Sequence, residues 1–200
     1  MKPRGDNNYH SDDNLSIVIS GSAAVGKTTL AEELAKEFKF TVYNGGDILK
    51  SIARERGYHV TEKDWWDTPD AIKFMEERKN DTSFDITVDK MLLEIAERGK
   101  AVITSYTLPW LTRYPMTFWL SASQASRSER MARRDNISVQ EAWGVIRIRD
   151  QENKGIYKKI YGSEFGKNLE VFDFVLNTEL FMLNSLIDIC KEIVKRTRAV

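Results

Sequence analysis

Lys27 and Thr28 close the stretch Gly21-Ser22-Ala23-Ala24-Val25-Gly26-Lys27-Thr28, with Thr29 next in line. Every fixed position of the pattern G-x-x-x-x-G-K-[ST] is met. Glycines let a backbone curl until its N–H groups point inward at a phosphate, and the helix that follows adds the positive end of its dipole. In that setting Lys27 is a cation for the β- and γ-phosphates of a bound nucleotide, and the Thr28 hydroxyl is placed to hold Mg²⁺. The flanks agree. Residues 16–20 are a short β-branched strand pattern, and residues 28–37 are rich in helix formers.

Arginines form the second candidate group. Arg127, Arg130, Arg133 and Arg134 fall within two turns of one predicted helix, and Arg147 and Arg149 follow on the next. A transferring phosphoryl group spreads negative charge over its oxygens, which guanidinium groups delivered by a lid neutralise. The plainer reading is a solvated basic surface balanced by Glu129, Asp135 and Asp150.

Carboxylates form the third. Asp47 follows the second predicted strand in Asn44-Gly45-Gly46-Asp47. It is either a proton acceptor or Mg²⁺-water orienter at the sheet's ligand edge, or the cap of a helix from residue 48. Asp85 and Asp89 are four apart and share one helix face, turned to acceptor hydroxyls or to water. Trp65, Trp66 and Trp110 suit core packing or ligand stacking.

The elements that must position these groups alternate. Apolar strands at 16–20, 40–43, 101–105, 117–120 and 172–176 are separated by helical stretches, which predicts an α/β fold with a five-stranded, mostly parallel sheet and helices on both faces. Ligands of such sheets bind beyond the strands' carboxyl ends, where the phosphate loop lies. Leu183, Leu186, Ile187, Cys190, Ile193 and Val194 fall on one face of a last helix. Two charged regions interrupt the sheet, an acceptor-binding insert at about 45–99 and a lid at about 123–161. Ser138 and Glu141 have the capping-box spacing within the second.

Composition narrows the class. Thirty acidic and thirty basic residues give a formal charge of zero, which argues against nucleic acid or an anionic membrane as partner. One cysteine excludes an internal disulfide, and the two histidines lack ligand spacing. Residues 1–14 read as a polar tail without a signal-peptide core, and 15–200 as a single cytoplasmic domain, monomer or homodimer. There is no G-x-S-x-G or H-E-x-x-H. Asn153-Lys154-Gly155-Ile156 lacks the aspartate of a guanine-reading N-K-x-D.

Through residues 21–28, Gly46-Asp47-Ile48, Ala53-Arg54-Glu55-Arg56-Gly57, Glu129-Arg130, Arg134, Arg149, Tyr157-Lys158-Lys159-Ile160-Tyr161-Gly162, Asp173 and Asn177-Thr178, the chain resembles the P-loop nucleoside monophosphate kinases, and most of all the archaeal-type cytidylate kinases. The resemblance implies the P-loop kinase fold, with ATP and Mg²⁺ as cofactors. It implies that Arg130 and Arg134 flank the adenine and phosphates, and that Arg149 is a lid arginine. The acceptor side departs from the family. Where its members carry E-G-R-x-x-G-W this chain has Thr104-Ser105-Tyr106-Thr107-Leu108-Pro109-Trp110, so an acceptor-holding arginine is Tyr106. A second family arginine is Ile156, and a third is Lys50. Arginine at a bidentate phosphate site is not replaced by tyrosine or isoleucine. The resemblance therefore points to a changed acceptor, with weak or absent use of CMP. The divergent branch that phosphorylates mevalonate 3-phosphate at its 5-hydroxyl is the specific expectation, Asp47 serving as base and Lys50, Arg54 or Arg113 holding the existing phosphate. An ordinary cytidylate kinase and a regulatory nucleotide-binding module are the alternatives.

Overall fold

The computed structural model describes residues 15–61, 65–113, 115–162 and 164–198, so the expected tail 1–14 lies outside the described residues. Five strands run in the order β2-β3-β1-β4-β5, every neighbouring pair parallel. They are β1 (Ser16–Gly21), β2 (Thr41–Asn44), β3 (Ala101–Thr104), β4 (Met116–Ser121) and β5 (Phe174–Asn177). The helices are α1 (Lys27–Phe38), α2 (Gly45–Glu55), α3 (Pro69–Asn80), α4 (Ser83–Arg98), α5 (Leu108–Leu111), α6 (Gln124–Asp135), α7 (Val139–Tyr161) and α8 (Leu183–Arg198). None of the described helices is long and apolar enough to cross a membrane.

β1 is the middle strand and is buried along its whole length. Its consecutive apolar residues are what a strand covered on both faces needs. Ile17 and Ile19 pack with Leu30 and Leu34 of α1 and with Leu186, Cys190 and Val194 of α8. Val18 packs on the other face with Leu49 of α2, Phe74 of α3 and Phe84 and Leu92 of α4. The phosphate loop is thereby suspended from the best-anchored strand of the molecule.

Several boundaries differ from the sequence expectation by a residue or two, and three of the differences have a visible local cause. β3 stops at Thr104 because the Ser105 hydroxyl turns to accept the N–H groups of Thr107 and Leu108, which opens α5. β5 begins at Phe174 because Val171 and Phe172 belong to an aromatic cluster with Trp119 and Phe165, and the Asp173 carboxylate accepts from the Thr117 N–H and hydroxyl. α2 starts at Gly45, directly off β2. Its cap is Asn44, whose side chain accepts the Gly46 N–H at 2.8 Å, so the capping role considered for Asp47 is corrected to Asn44. The α8 stripe holds, except that Leu183 is about half exposed. Cys190 is fully buried, which pushes its thiol up to about 12.

Candidate active site

The phosphate loop is built by backbone geometry. Gly21 has φ +142°, and a Cβ there would stand 2.3 Å from the Leu120 carbonyl oxygen, a separation no side chain tolerates. Ala24 and Gly26 also take positive φ, at 61° and 98°, which bends the chain back onto the start of α1. Lys27 opens that helix. Its Nζ donates to the Gly21 carbonyl at 2.9 Å and to the Ser22 carbonyl at 2.7 Å. It also lies 4.9 Å from the centre of the Tyr106 ring. Burial pushes its ammonium down to about 7; the Asp150 carboxylate works against this shift and the Arg127 guanidinium adds to it. Thr28 and Thr29 are exposed in the first turn of α1.

The arginine cluster divides into four kinds. Arg127 is buried and acts as a bracket: Nη1 donates to the Ala23 carbonyl of the loop at 3.2 Å, and Nη2 to Asp150 of α7 at 2.8 Å. Arg130 donates to Val25, and to the Thr178 hydroxyl and carbonyl, joining the loop to the end of β5. Arg134 and Arg149 line the main cavity, Arg134 with Asp135 beside it at 2.6 Å. Arg133 and Arg147 are exposed and do not line it. Helix spacing identifies the group but not which members turn inward, because the answer depends on how α6 packs against α7.

The cavity has a volume of about 510 Å³, the size of a small-ligand site. It runs from Ala23, Ala24, Lys27 and Thr28 past Asn44, Gly45 and Gly46 to side chains of α3 and α4. Tyr106 lines it beside Lys27. On the far elements Arg78 and Asp85 form a bidentate pair, Nε to Oδ2 at 3.0 Å and Nη2 to Oδ1 at 2.7 Å, both residues buried. Asp89 accepts from the Thr107 hydroxyl and from the Tyr161 hydroxyl at the end of α7, each at 2.5 Å. Burial raises the Asp89 carboxyl above the usual carboxylate range, against the pull of those two donors. Asp85 and Asp89 thus share one helix face, as their spacing predicts, and that face turns to the cavity rather than to water.

The other acceptor-side candidates sit elsewhere. Asp47 has a side chain 71% exposed and lies with Lys50, Ser51 and Arg54 around a separate shallow depression on α2. Lys50 stands 5.8 Å from the Trp66 ring. Arg113 donates to the Val171 carbonyl at 2.9 Å, away from the cavity lining. Trp110 packs on Trp119 and Phe172, and Ile156 is buried in the same aromatic cluster. Trp65 is core, whereas its neighbour Trp66 lines the cavity. Sequence reasoning missed Arg78, which reads as one charge in the run 76–79. A hint was available: Phe74 and Arg78 lie four apart, so a helix that buries one brings the other to the same side.

Comparison with known proteins agrees with this geometry. The sequence matches the model of the Cytidylate kinase-like family over residues 16–180. A cytidylate kinase of Ignicoccus hospitalis is 31% identical over 177 residues, covering 88% of this chain and 96% of the relative. One from Pyrococcus horikoshii is 30% identical over 167 residues, covering 83% and 81%. Among solved structures, a shikimate kinase from Bacteroides thetaiotaomicron superposes with TM-score 0.56 at 18% identity, covering 90% of this chain and 98% of that one. A gluconokinase from Sinorhizobium meliloti gives 0.52 at 13% identity, covering 94% and 95%. These likenesses establish a P-loop small-molecule kinase fold, and the protein is an ATP- and Mg²⁺-dependent kinase. Since the match begins in β1, runs through the phosphate loop and the stretches 45–99 and 123–161, and ends beyond β5, the chain belongs to the cytidylate kinase-like family.

Proposed function

We propose that the protein transfers the γ-phosphoryl group of ATP to the phosphate of a pyrimidine nucleoside monophosphate, CMP in the first place. The observation that carries this reading is the likeness to cytidylate kinases along nearly the whole chain, inserts included. This reverses the expectation, drawn from Tyr106 and Ile156, that CMP is a poor acceptor.

In this reading the loop N–H groups and Lys27 hold the triphosphate. To reach it, the Lys27 ammonium leaves the Gly21 and Ser22 carbonyls, a short swing for a flexible side chain. Mg²⁺, when bound, would supply positive charge against the phosphates. The exposed Thr28 hydroxyl fits as its protein ligand. No group of three or more His, Cys, Asp or Glu converges among the described residues. Arg134 and Arg149, lining the cavity, stabilise the transferring group. Arg127 is a positioning residue that locks α7 to the loop. Stretch 123–161 is the lid, and stretch 45–99 holds the acceptor.

A second reading is favoured by one observation. Tyr106 and Ile156 are packed among aromatic side chains, so no guanidinium reaches the cavity from either position. A phosphorylated alcohol such as mevalonate 3-phosphate is the corresponding acceptor. Its hydroxyl needs a base, and Asp89, in the cavity with a raised carboxyl pKa, is better situated than the exposed Asp47.

Coupled measurement of ADP release with CMP, UMP and mevalonate 3-phosphate separates the two. The first reading expects a kcat/KM for CMP within the ordinary enzyme range of roughly 10⁴–10⁸ M⁻¹s⁻¹ and at least about tenfold above the alcohol. The reverse order replaces it with the second.

A further inference from the structure

Charge is unevenly distributed around the cavity. From the loop, α6 and α7 the charged lining residues are Lys27, Arg134 and Arg149 against Glu152. From α3 and α4 they are Glu76, Asp85 and Asp89 against Arg78 and Lys79. Lys79 is already paired with Glu152 at 2.7 Å, and Arg78 with Asp85. The α3–α4 wall therefore carries an excess of carboxylate, most of it buried, while the loop side carries an excess of cation.

We infer that the Arg78–Asp85 pair, with Asp89 beside it, is a specificity determinant that selects an acceptor whose end away from the reacting phosphate is uncharged and bears both hydrogen-bond donors and acceptors, as a nucleobase or sugar does. The inference rests on the nucleotide reading above and names the residues that enforce it. An anionic group on this wall meets the Asp89 carboxylate in excess of the neutral Arg78–Asp85 pair, in a low-dielectric site, and is repelled. A neutral polar edge is not. The pair is also incompletely used. Nε and Nη2 of Arg78 hold the carboxylate, while Nη1 meets only the Met75 sulfur at 3.6 Å. That leaves N–H donors for a ring nitrogen or carbonyl, and each Asp85 oxygen keeps a lone pair for an exocyclic amine or hydroxyl. Stability does not require such a pair, since well-packed apolar residues of similar volume replace buried ion pairs at little or no loss. Its position in a cavity wall fits recognition.

The test uses the full chain. Arg78→Met with Asp85→Leu replaces the pair by apolar side chains, and Asp89→Asn removes the neighbouring charge. Thermal unfolding and ATP affinity establish that each variant is folded and loaded. The expected result for the double variant is a KM for CMP raised about 100-fold, with ATP affinity unchanged. For Asp89→Asn, the ratio of binding affinities, mevalonate 3-phosphate over CMP, should rise at least tenfold; binding is read because Asp89 is also the base candidate for the alcohol. A folded, ATP-binding double variant whose KM for CMP stays within threefold overturns the inference and leaves the nucleotide reading standing. Preference of the unaltered protein for mevalonate 3-phosphate, or no turnover of either nucleotide, overturns both. If the double variant does not fold, the Asp89→Asn ratio decides, and an unchanged ratio counts against the inference.

Discussion

The two sides of the cavity are made differently. On the phosphate-loop side the backbone does most of the work: Gly21, Ala24 and Gly26 set the curl, and Lys27 is delivered by the next residue in the chain. On the α3–α4 side, side chains brought from separate elements do it. Asp89 meets Thr107 eighteen residues away and Tyr161 seventy-two residues away, and Arg78 crosses from α3 to Asp85 of α4. A backbone device tolerates almost any neighbour and is written in consecutive residues. A side-chain device depends on packing, and can change its ligand through one or two substitutions while the loop stays as it is.

The sharpest way to break this contrast is Lys27→Ala. Turnover should fall at least about 10³-fold, as for loss of a main transition-state charge contact, with no loss of fold. The substitution removes a partly desolvated cation and no core packing, so the thermal midpoint should hold or rise. Turnover within tenfold of the parent would show that the loop side does not depend on its lysine.

The next variant sits where the two sides meet. Tyr106→Arg places a guanidinium against Phe165 and Tyr157, close to the Lys27 ammonium. A desolvated cation there, beside another cation and with the nearby Asp150 already held by Arg127, should cost about 2–3 kcal/mol in urea unfolding. It should improve kcat/KM for CMP by less than about tenfold, because the surrounding aromatic cluster does not open around it. A stable variant with much better CMP turnover would mean that this position alone sets the acceptor.

The smallest effect is expected from Tyr161→Phe, which removes one donor from Asp89 and one tie between α7 and α4. A loss of about 1–2 kcal/mol follows from a buried carboxylate short of one partner. ATP affinity, measured by calorimetry, should not move, whereas the KM for CMP should rise by up to about tenfold. Equal weakening of ATP and acceptor would show that the two sides are not independent.

Much of this protein was legible in consecutive residues. The phosphate loop, the apolar run Ile17-Val18-Ile19 of β1, the Ser138–Glu141 capping box and the α8 stripe all arise from interactions within a few residues, or from periodicity that any core would impose. For the same reason the helical face shared by Asp85 and Asp89 could be predicted. Whether it met water or a cavity could not, because that depends on what α3, α5 and α7 lay against it. Tertiary structure alone decided that Arg127 is a bracket, that Arg147 stands outside the lining, and that Asp47 is exposed. It also decided that Arg78 is a buried cavity residue. The physical reason is the same in each case: local sequence sets which residues share a face, but only the packing of distant segments sets what that face meets.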